Sequence, residues 1–476
     1  MLKIPPKERL RYFQSLMITL GKYRFVFILS IVFPLSSCVI VDVDSPSRGY
    51  NDTHKYKVDA PSNIIMVVAD GMGPAYVTAY RMFKDNPDTH FIESTIFDQF
   101  LVGTSRTHPH HTSGLITDSA ASATAMATGV KTYNGAIGMD ANKIPLETVL
   151  HRAHKYGLAT GLAVTSQIVH ATPASYMVAN EARRNYNQIA DSFFDDKING
   201  EHLADVMLGG GWDYFIREDR NLVDEFKLAG YEYVDSYEAL NNVSVNSKVL
   251  GLFGDRGLPW ALDDSDTHRL KKLTKSAVNH LEGHENGFFL LVEASQVDWA
   301  GHANDIASAM AEMDDLAKTM EFLYEYANNN PNTLVVLTAD HSTGGLTIGS
   351  DGEYRWSPEY LKDHKRSITA MSKVIRKETN MGDYFASQVG YTLTEDELQV
   401  VATITSDMTE REVAGVLRSI VDKRTNTGWT TSGHTGVDVE VFAIGPGSKM
   451  FVGNQNNTDI AHKLFELLDR NTRNIN

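Results

Sequence analysis

Short runs of consecutive apolar residues recur along the chain, and each run is followed by a more polar stretch. Runs of this kind are typical of strands that are buried on both faces of a sheet. Helical patterns lie between them, at residues 147–156 and 306–326. The alternation predicts an α/β protein, a three-layer sandwich in which helices flank a large, mostly parallel central sheet. The predicted strands cover residues 63–69, 159–164, 206–208, 288–292, 334–338 and 439–444.

A different pattern lies at residues 115–129, where small residues with good helix propensity follow Thr117 and Asp118. These two residue types suit a helix N-terminus, so Ser119 is predicted to lie where backbone N–H groups attract an anion. The surrounding sequence lacks the Gly-x-Ser-x-Gly pattern of α/β-hydrolases. Ser119 is therefore a candidate nucleophile that requires a metal ion or another base.

Acidic residues and a histidine stand at the ends of three predicted strands. Asp70 follows the first run, Glu293 ends the run at 288–292, and Asp340-His341 follows the run at 334–338. Functional residues of parallel sheets collect at the carboxyl ends of the strands. One acid at such a position is explained equally well by a helix N-cap, but three of them favour a metal site.

The spacing of Asp298 and His302 adds to this hypothesis. The two residues are four apart, so on a helix they share a face and could bind one ion. A surface pair at this spacing is the alternative. His434 precedes the last apolar run and could complete a second set of ligands, in which carboxylate and imidazole groups together suit zinc.

Between His341 and His434 lies a long polar segment, at residues 352–430, with little strand pattern. It contains helix-like pieces at 358–379 and 409–424. The segment is interpreted as an insertion, and a separately folded lid is the alternative.

The net charge of the 476-residue chain is −16, which argues against a nucleic-acid partner. Six basic residues precede a short apolar stretch at 25–35, as in a signal peptide. The stretch runs into Leu-Ser-Ser-Cys at 35–38, which resembles a bacterial lipobox and contains Cys38, the single cysteine. We therefore expect a lipoprotein signal peptide at 1–37, a tether at 38–60 and a folded domain at 61–470. The expected location is the cell envelope, as a periplasmic or outer-membrane lipoprotein whose membrane contact is a lipidated Cys38. An ordinary signal peptide or an uncleaved anchor is the alternative.

Five motifs in one order identify a resemblance. The chain has Asp-Gly-Met-Gly at 70–73, Thr-Asp-Ser-Ala-Ala-Ser-Ala-Thr-Ala at 117–125, Val-Glu-x5-Trp-Ala-x-His at 292–302, Thr-Ala-Asp-His at 338–341 and Ser-Gly-His-Thr-Gly at 432–436. Over residues 62–465 it resembles the alkaline phosphatases.

This resemblance implies hydrolysis of phosphate monoesters through a covalent phosphoserine at alkaline pH, with two zinc ions and one magnesium ion. The nucleophile would be Ser119, and Arg183, oriented by Asp118, would bind phosphate oxygens. The adjacent Arg184 is excluded from this role only by its position relative to the family motif. The resemblance also implies a homodimer and a crown-like insertion at about 352–430. The implied metal ligands are Asp298, His302 and His434 for one zinc, Asp70, Asp340 and His341 for the other, and Asp70, Thr172 and Glu293 for magnesium.

Three other functions remain in view at this stage. A phosphodiesterase of the same superfamily usually lacks the magnesium ligands and the arginine. A sulfatase needs a Cys/Ser-x-Pro-x-Arg motif, which the sequence around Ser119 does not supply. A phosphate-binding lipoprotein without activity would not need the complete set of nucleophile and ligands.

The chain departs from the best-known bacterial pattern at two positions, where His170 replaces an aspartate and Trp299 replaces a lysine. We predict that the absent lysine weakens binding of product phosphate. The substitution Trp299→Lys should then lower the inhibition constant for inorganic phosphate, because an ammonium group attracts the phosphate dianion. An unchanged inhibition constant would contradict this role, and packing of Trp299 in the core would then explain the residue.

Overall fold

The structure is a computed structural model that describes residues 60–475, with side chains described as far as residue 471. The predicted signal peptide at 1–37 and nearly all of the predicted tether, residues 38–59, lie outside the described residues. Among residues 60–475, no helix is both long enough and apolar enough to cross a membrane.

The strands of the described chain fall into one large sheet and three two-stranded sheets. Their bounds are β1 (Asn63–Val68), β2 (Leu101–Arg106), β3 (Ala159–Gln167), β4 (Lys197–Ile198), β5 (Glu201–His202), β6 (Val206–Gly210), β7 (Glu232–Val234), β8 (Val249–Leu252), β9 (Phe288–Glu293), β10 (Thr333–Thr338), β11 (Ser342–Thr343), β12 (Leu346–Ile348), β13 (Thr427–Trp429), β14 (His434–Thr435), β15 (Val439–Ile444) and β16 (Gly453–Asn456).

The α-helices of the described chain lie mostly between these strands. Their bounds are Pro74–Lys84, Ser119–Thr128, Val149–Lys155, Ala171–Met177, Tyr186–Asp195, Trp212–Phe215, Leu222–Leu228, Tyr237–Leu240, Arg269–Leu281, Gln296–Ala303, Ile306–Asn329, Ile368–Val374, Met381–Val389, Glu395–Val401, Glu410–Thr425 and Asn457–Ile475.

The large sheet confirms the predicted α/β class. Its ten strands have the order β16-β2-β15-β10-β1-β9-β3-β6-β8-β7. Every neighbouring pair is parallel except the two that involve β15, which runs antiparallel to β10 and β2. All six predicted runs form strands of this sheet. Four strands of the sheet were not predicted: β16 and β2 at one edge, and β8 and β7 at the other. The mixed and polar residues of β2 and β16 give no apolar run.

Two hydrophobic layers enclose the sheet, and the central strand β1 shows how. Its alternate residues Ile64, Met66 and Val68 belong to one buried cluster. The residues between them, Ile65 and Val67, belong to the cluster on the opposite face. Side chains of a strand point alternately to the two faces, so a strand covered on both sides must be apolar throughout. The result is the predicted three-layer sandwich.

The helix Ser119–Thr128 lies entirely inside one of these layers, and all ten of its residues are buried. Asp118 caps it, with the side-chain carboxylate accepting a hydrogen bond from the N–H of Ala121 at 2.9 Å. The helix ends at Gly129, whose φ of 77° is the left-handed conformation that favours glycine. The run of small side chains lets this helix pack closely against Ala171–Met177 and the C-terminal helix.

The polar segment at 352–430 shares the core of the molecule. Its buried residues Met371, Phe385 and Leu417 belong to the same apolar cluster as one face of the central sheet. The helix-like piece at 358–379 is divided into a 3₁₀ turn at Pro358–Leu361, the helix Ile368–Val374 and a second 3₁₀ turn. The piece at 409–424 is the single helix Glu410–Thr425, capped by Thr409. One strand was missed there, β13, which pairs with β12.

A buried ionic cluster holds two long helices together. Arg269, at the start of Arg269–Leu281, is fully buried and pairs with Glu312 at 2.5 Å and with Asp315 at 3.5 Å. It also donates a hydrogen bond to the side-chain oxygen of Gln296 at 3.2 Å. Gln296 opens the helix Gln296–Ala303, so this cluster fixes the position of a helix that carries predicted ligands.

We predict that Arg269→Met destabilises the protein by about 3–5 kcal/mol, because it leaves two buried carboxylates without their cation. The measurement is the free energy of unfolding in urea. The matched control is Arg81→Met, which removes a partly exposed pair with Asp98 and should cost at most about 1 kcal/mol. Equal losses in the two variants would show that the buried cluster contributes no more than a surface pair.

Candidate metal centre

The predicted acidic residues meet at the carboxyl edge of the central sheet. Strands β10, β1, β9 and β3 are adjacent and parallel, so the chain leaves all four at the same edge. Asp340 follows β10, Asp70 follows β1, and Glu293 ends β9. All three are fully buried.

A first cluster consists of Asp298, His302 and His434, as the spacing suggested. Asp298 and His302 lie one turn apart on the helix Gln296–Ala303, and His302 Nε2 is 3.3 Å from Asp298 Oδ2. His434 Nε2 lies 3.2 Å from His302 Nε2 and 3.7 Å from Asp298 Oδ1. Asp298 is buried and His302 is exposed, so the pair lies partly at the surface.

Main-chain carbonyls orient the two imidazoles of this cluster. His302 Nδ1 donates to the carbonyl of Ser432 at 2.6 Å, and His434 Nδ1 donates to the carbonyl of Thr117 at 2.9 Å. With Nδ1 protonated on both rings, the two Nε2 lone pairs face each other across 3.2 Å. The two lone pairs repel each other, and a cation between the two nitrogens would remove the repulsion by binding both of them.

A second cluster surrounds His341. Its Nε2 lies 3.1 Å from Asp340 Oδ2, 3.6 Å from Asp70 Oδ1 and 3.1 Å from the hydroxyl oxygen of Ser119. Potential ligand atoms of Asp70, Asp298 and His341 all lie within 4.8 Å of one another. The sequence interpretation gave Asp298 to the first cluster alone, whereas the structure places it within reach of both.

A third cluster contains Asp70, Glu293 and His170. Glu293 Oε2 accepts hydrogen bonds from the hydroxyls of Ser166 and Ser295, at 3.2 and 2.6 Å. Thr172, which the resemblance implies as a ligand here, is fully buried in the helix that follows β3. The structure adds His170 to this group.

The carboxylates of these clusters crowd one another in a buried place. Burial, and then the charges of Asp340, Asp298 and Glu293, raise the pKa of Asp70 well above its usual range. Burial raises the pKa of Glu293 to about 7 and that of Asp340 to about 8. Without cations, these groups therefore hold protons at pH values where carboxyl groups are normally charged.

The histidines have the opposite shift, which also favours metal binding. Burial lowers the pKa of His341 well below its usual range and lowers that of His434. Both rings are therefore neutral, the form in which imidazole binds a metal.

The donor atoms fit divalent cations. Both carboxylate oxygens of Asp70 and the Oε1 of Glu293 are buried without a hydrogen-bond partner among the described residues. A buried charge without a partner is costly, and a metal ion is one of the few groups that offset the cost. Imidazole and carboxylate together suit zinc in the first two clusters.

Ser119 and Arg183 complete the site beside these clusters. Ser119 is 1% exposed and begins its helix, so its hydroxyl lies where the backbone N–H groups point. Arg183 pairs with Asp118 at 3.0 Å, and its Nη2 lies 3.2 Å from His170 Nε2. Arg184 is exposed, whereas Arg183, the arginine selected by register, contacts Asp118, the residue before Ser119.

Several groups that hold the site in place were not predicted from the sequence. They are the hydroxyls of Ser166, Ser295 and Thr343 and the carbonyls of Thr117 and Ser432. Thr343 alone carried a signal, since it lies two residues after His341. A main-chain carbonyl carries no residue-specific signal.

Three comparisons relate this chain to known proteins. The family model described as alkaline phosphatase matches residues 61–469. Alkaline phosphatase 3 of Bacillus subtilis is 45% identical over 433 residues, which are 90% of this chain and 93% of that protein. The cold-active alkaline phosphatase of a psychrophilic Shewanella has a similar structure, with a TM-score of 0.81 and 47% identity, covering 85% of this chain and 99% of that one.

A further solved structure is a histidine-to-glutamate variant of the alkaline phosphatase from TAB5, with magnesium bound in its M3 site. It has a TM-score of 0.64 and 25% identity, and covers 87% of this chain and 99% of that one.

The raised carboxyl pKa values predict how stability depends on pH. Folding raises the pKa of Glu293 to about 7 and that of Asp340 to about 8, whereas in the unfolded chain they are about 4. Between about pH 4 and pH 8 these two groups then bind more protons in the folded metal-free protein than in the unfolded chain, so the stability that they contribute falls as the pH rises. His341 and His434, whose pKa values burial lowers, act in the opposite sense near pH 6.5. We therefore expect the melting temperature in chelator to be lower at about pH 8.5 than at about pH 7, where the histidines of the unfolded chain are already mostly neutral.

Zinc and magnesium should abolish most of this difference in melting temperature, because the ions replace the protons on the buried carboxylates. A metal-free protein that gains stability between about pH 7 and about pH 8.5 would contradict the assignment.

Proposed function

The chain belongs to the alkaline phosphatase family, and we propose that it hydrolyses phosphate monoesters through a covalent phosphoserine formed on Ser119. The observation that carries this proposal is the position of Ser119. Its hydroxyl lies at the N-terminus of a buried helix, 3.1 Å from His341 Nε2 and at the edge of the carboxylate clusters. A neutral serine is a weak nucleophile, and such surroundings activate it.

The phosphate group would be held by Arg183 and by the helix N-terminus. The guanidinium group offers two parallel N–H donors, which match two oxygens of a phosphate. Asp118 accepts from Arg183 Nη1 at 3.0 Å and also caps the helix that carries Ser119. One carboxylate therefore sets the relative position of the phosphate-binding arginine and the nucleophile.

The reaction has two displacements. In the first, the Ser119 oxygen forms a bond to phosphorus, and the bond between phosphorus and the alcohol oxygen breaks, releasing the alcohol after it gains a proton. In the second, a water oxygen attacks the phosphoserine, the bond to Ser119 breaks, and inorganic phosphate leaves. Arg183 holds the same phosphate oxygens in both displacements.

We propose two zinc ions and one magnesium ion for the three clusters. When bound, the two zinc ions supply positive charge that stabilises the serine alkoxide and the entering and leaving oxygens of an in-line displacement. Asp298, His302 and His434 would hold the first zinc, Asp70, Asp340 and His341 the second, and Asp70, Thr172 and Glu293 the magnesium. His170 offers a nitrogen donor beside the third ion, and a nitrogen donor suits metals other than magnesium as well. Elemental analysis of the purified holoenzyme tests which metal the third ion is.

An alkaline pH optimum is supported by the same carboxylates. Because Glu293 and Asp340 have pKa values of about 7 and about 8 without metal, protons compete with the ions below this range. The competition should weaken as the pH rises. Activity measured against pH at saturating zinc and magnesium tests this explanation, since excess metal should extend activity to lower pH.

A homodimer and a lipid anchor on Cys38 also remain proposals. The molar mass of the purified mature protein in solution tests the first, and the intact mass of the N-terminal peptide from native membranes tests the second. A monomer, or an unmodified Cys38, would contradict them.

We predict that Ser119→Ala lowers the hydrolysis of an aryl phosphate monoester by several orders of magnitude. The variant lacks the attacking oxygen, and removal of a catalytic nucleophile typically costs about 10⁴–10⁶-fold in kcat. The wild type should hydrolyse the monoester far better than an aryl diester or an aryl sulfate, and a chelator should abolish its activity.

The matched control is Ser372→Ala, which removes a buried serine hydroxyl that bonds to the carbonyl of Thr369. This variant should keep the wild-type rate. Robust monoesterase activity in Ser119→Ala would overturn the assigned nucleophile, and a preference for the diester or the sulfate would place the substrate in another class.

A further inference from the structure

Thr343 lies between the first two clusters and is fully buried. Its N–H donates to the carbonyl of Gly71 at 3.1 Å, and its carbonyl accepts from the hydroxyl of Tyr76 at 2.8 Å. On the short strand β11 it is paired with His434 of β14. The main chain of Thr343 is thus fixed on both sides, and its side chain projects from a defined point.

The Thr343 hydroxyl contacts a ligand of each cluster. Its Oγ1 lies 2.5 Å from Asp298 Oδ1 and 3.2 Å from His341 Nδ1. An ionised carboxylate only accepts hydrogen bonds, so the single hydroxyl proton is donated to Asp298. The hydroxyl oxygen then accepts from the Nδ1–H of His341, which leaves the lone pair of this ring on Nε2.

We propose that Thr343 is a positioning residue that couples the two zinc centres, since one hydroxyl orients Asp298 of the first and fixes the tautomer of His341 in the second. It touches no substrate atom and acts only through these two ligands. Metal-binding histidines generally need such a partner on the other ring nitrogen. The inference rests on the proposed pair of zinc ions.

Two neighbouring glycines, Gly71 and Gly301, leave room for the Thr343 side chain. A methyl group on Gly71 would lie 2.8 Å from Thr343 Oγ1, and one on Gly301 would lie 2.9 Å from Thr343 Cβ. The φ of Gly71 is +78°, so this position favours glycine on conformational grounds as well. At both positions the Thr343 side chain occupies the space that a Cβ of the neighbouring residue would fill.

The test compares Thr343→Val with Thr343→Ser. Valine keeps the shape and removes the hydroxyl, whereas serine keeps the hydroxyl and removes the methyl group. Zinc affinity is measured on purified protein by competition with a chromophoric chelator, which reads metal binding independently of activity. We expect Thr343→Val to lose about 10–100-fold in affinity at both zinc centres, as is typical when a partner of a ligand is removed.

Thr343→Ser should restore most of this affinity, which a role in packing alone would not explain. The matched control is Thr319→Val, which removes another fully buried threonine hydroxyl, bonded to the carbonyl of Asp315. It should bind zinc as the wild type does. If Thr343→Val does not fold, Thr343→Ala is compared with Thr343→Ser in the same assay.

Wild-type zinc affinity in Thr343→Val or Thr343→Ala would overturn the proposal, and so would an equal loss in the serine variant. A loss confined to one centre would refute the coupling. These results differ from a failure of the proposed function, in which the wild type itself would not bind two zinc ions.

Discussion

The structure depends on one constraint: several carboxylates are buried together at the carboxyl edge of the sheet without enough positive charge among the described side chains. The charge of Arg183 opposes the rise in the pKa of Asp70, but this guanidinium already pairs with Asp118. The raised pKa values of Asp70, Glu293 and Asp340 reflect the free-energy cost of burying these charges close together. A fold that concentrates acids in this way is complete only when cations are bound, so catalysis and stability share one requirement.

The parallel sheet explains why so few elements suffice to build the site. Four adjacent strands end at one edge, so residues that are far apart in sequence meet when they lie at or just after the ends of these strands. The three clusters are therefore not independent sites, since the first and second share Asp298 and the second and third share Asp70. A change in either shared carboxylate alters two clusters together, whereas Arg183 contacts the third cluster through His170.

Much of this arrangement could be predicted from sequence because it follows from local patterns. Apolar runs located the central strands, and acids at their ends located the site, while Asp298 and His302 followed from helical spacing. Ser119 followed from the helix N-terminus before the run of small residues, and the resemblance added Arg183. Three features depend on tertiary contacts and could not be read from the chain: the reversed direction of β15, the proximity of Asp298 to both the first and the second cluster, and the contact of Thr343 with Asp298 and His341. A pattern specifies which face a residue occupies but not which residue it meets.

The carbonyl of Thr117 has a consequence for how the protein matures. It orients His434, so a ligand supplied near the end of the chain is bound to the loop that presents the nucleophile near its beginning. No contiguous segment contains a complete set of ligands. The first cluster therefore forms only after segments 317 residues apart have come together, so affinity for a cation at this cluster should follow folding of the chain and not precede it.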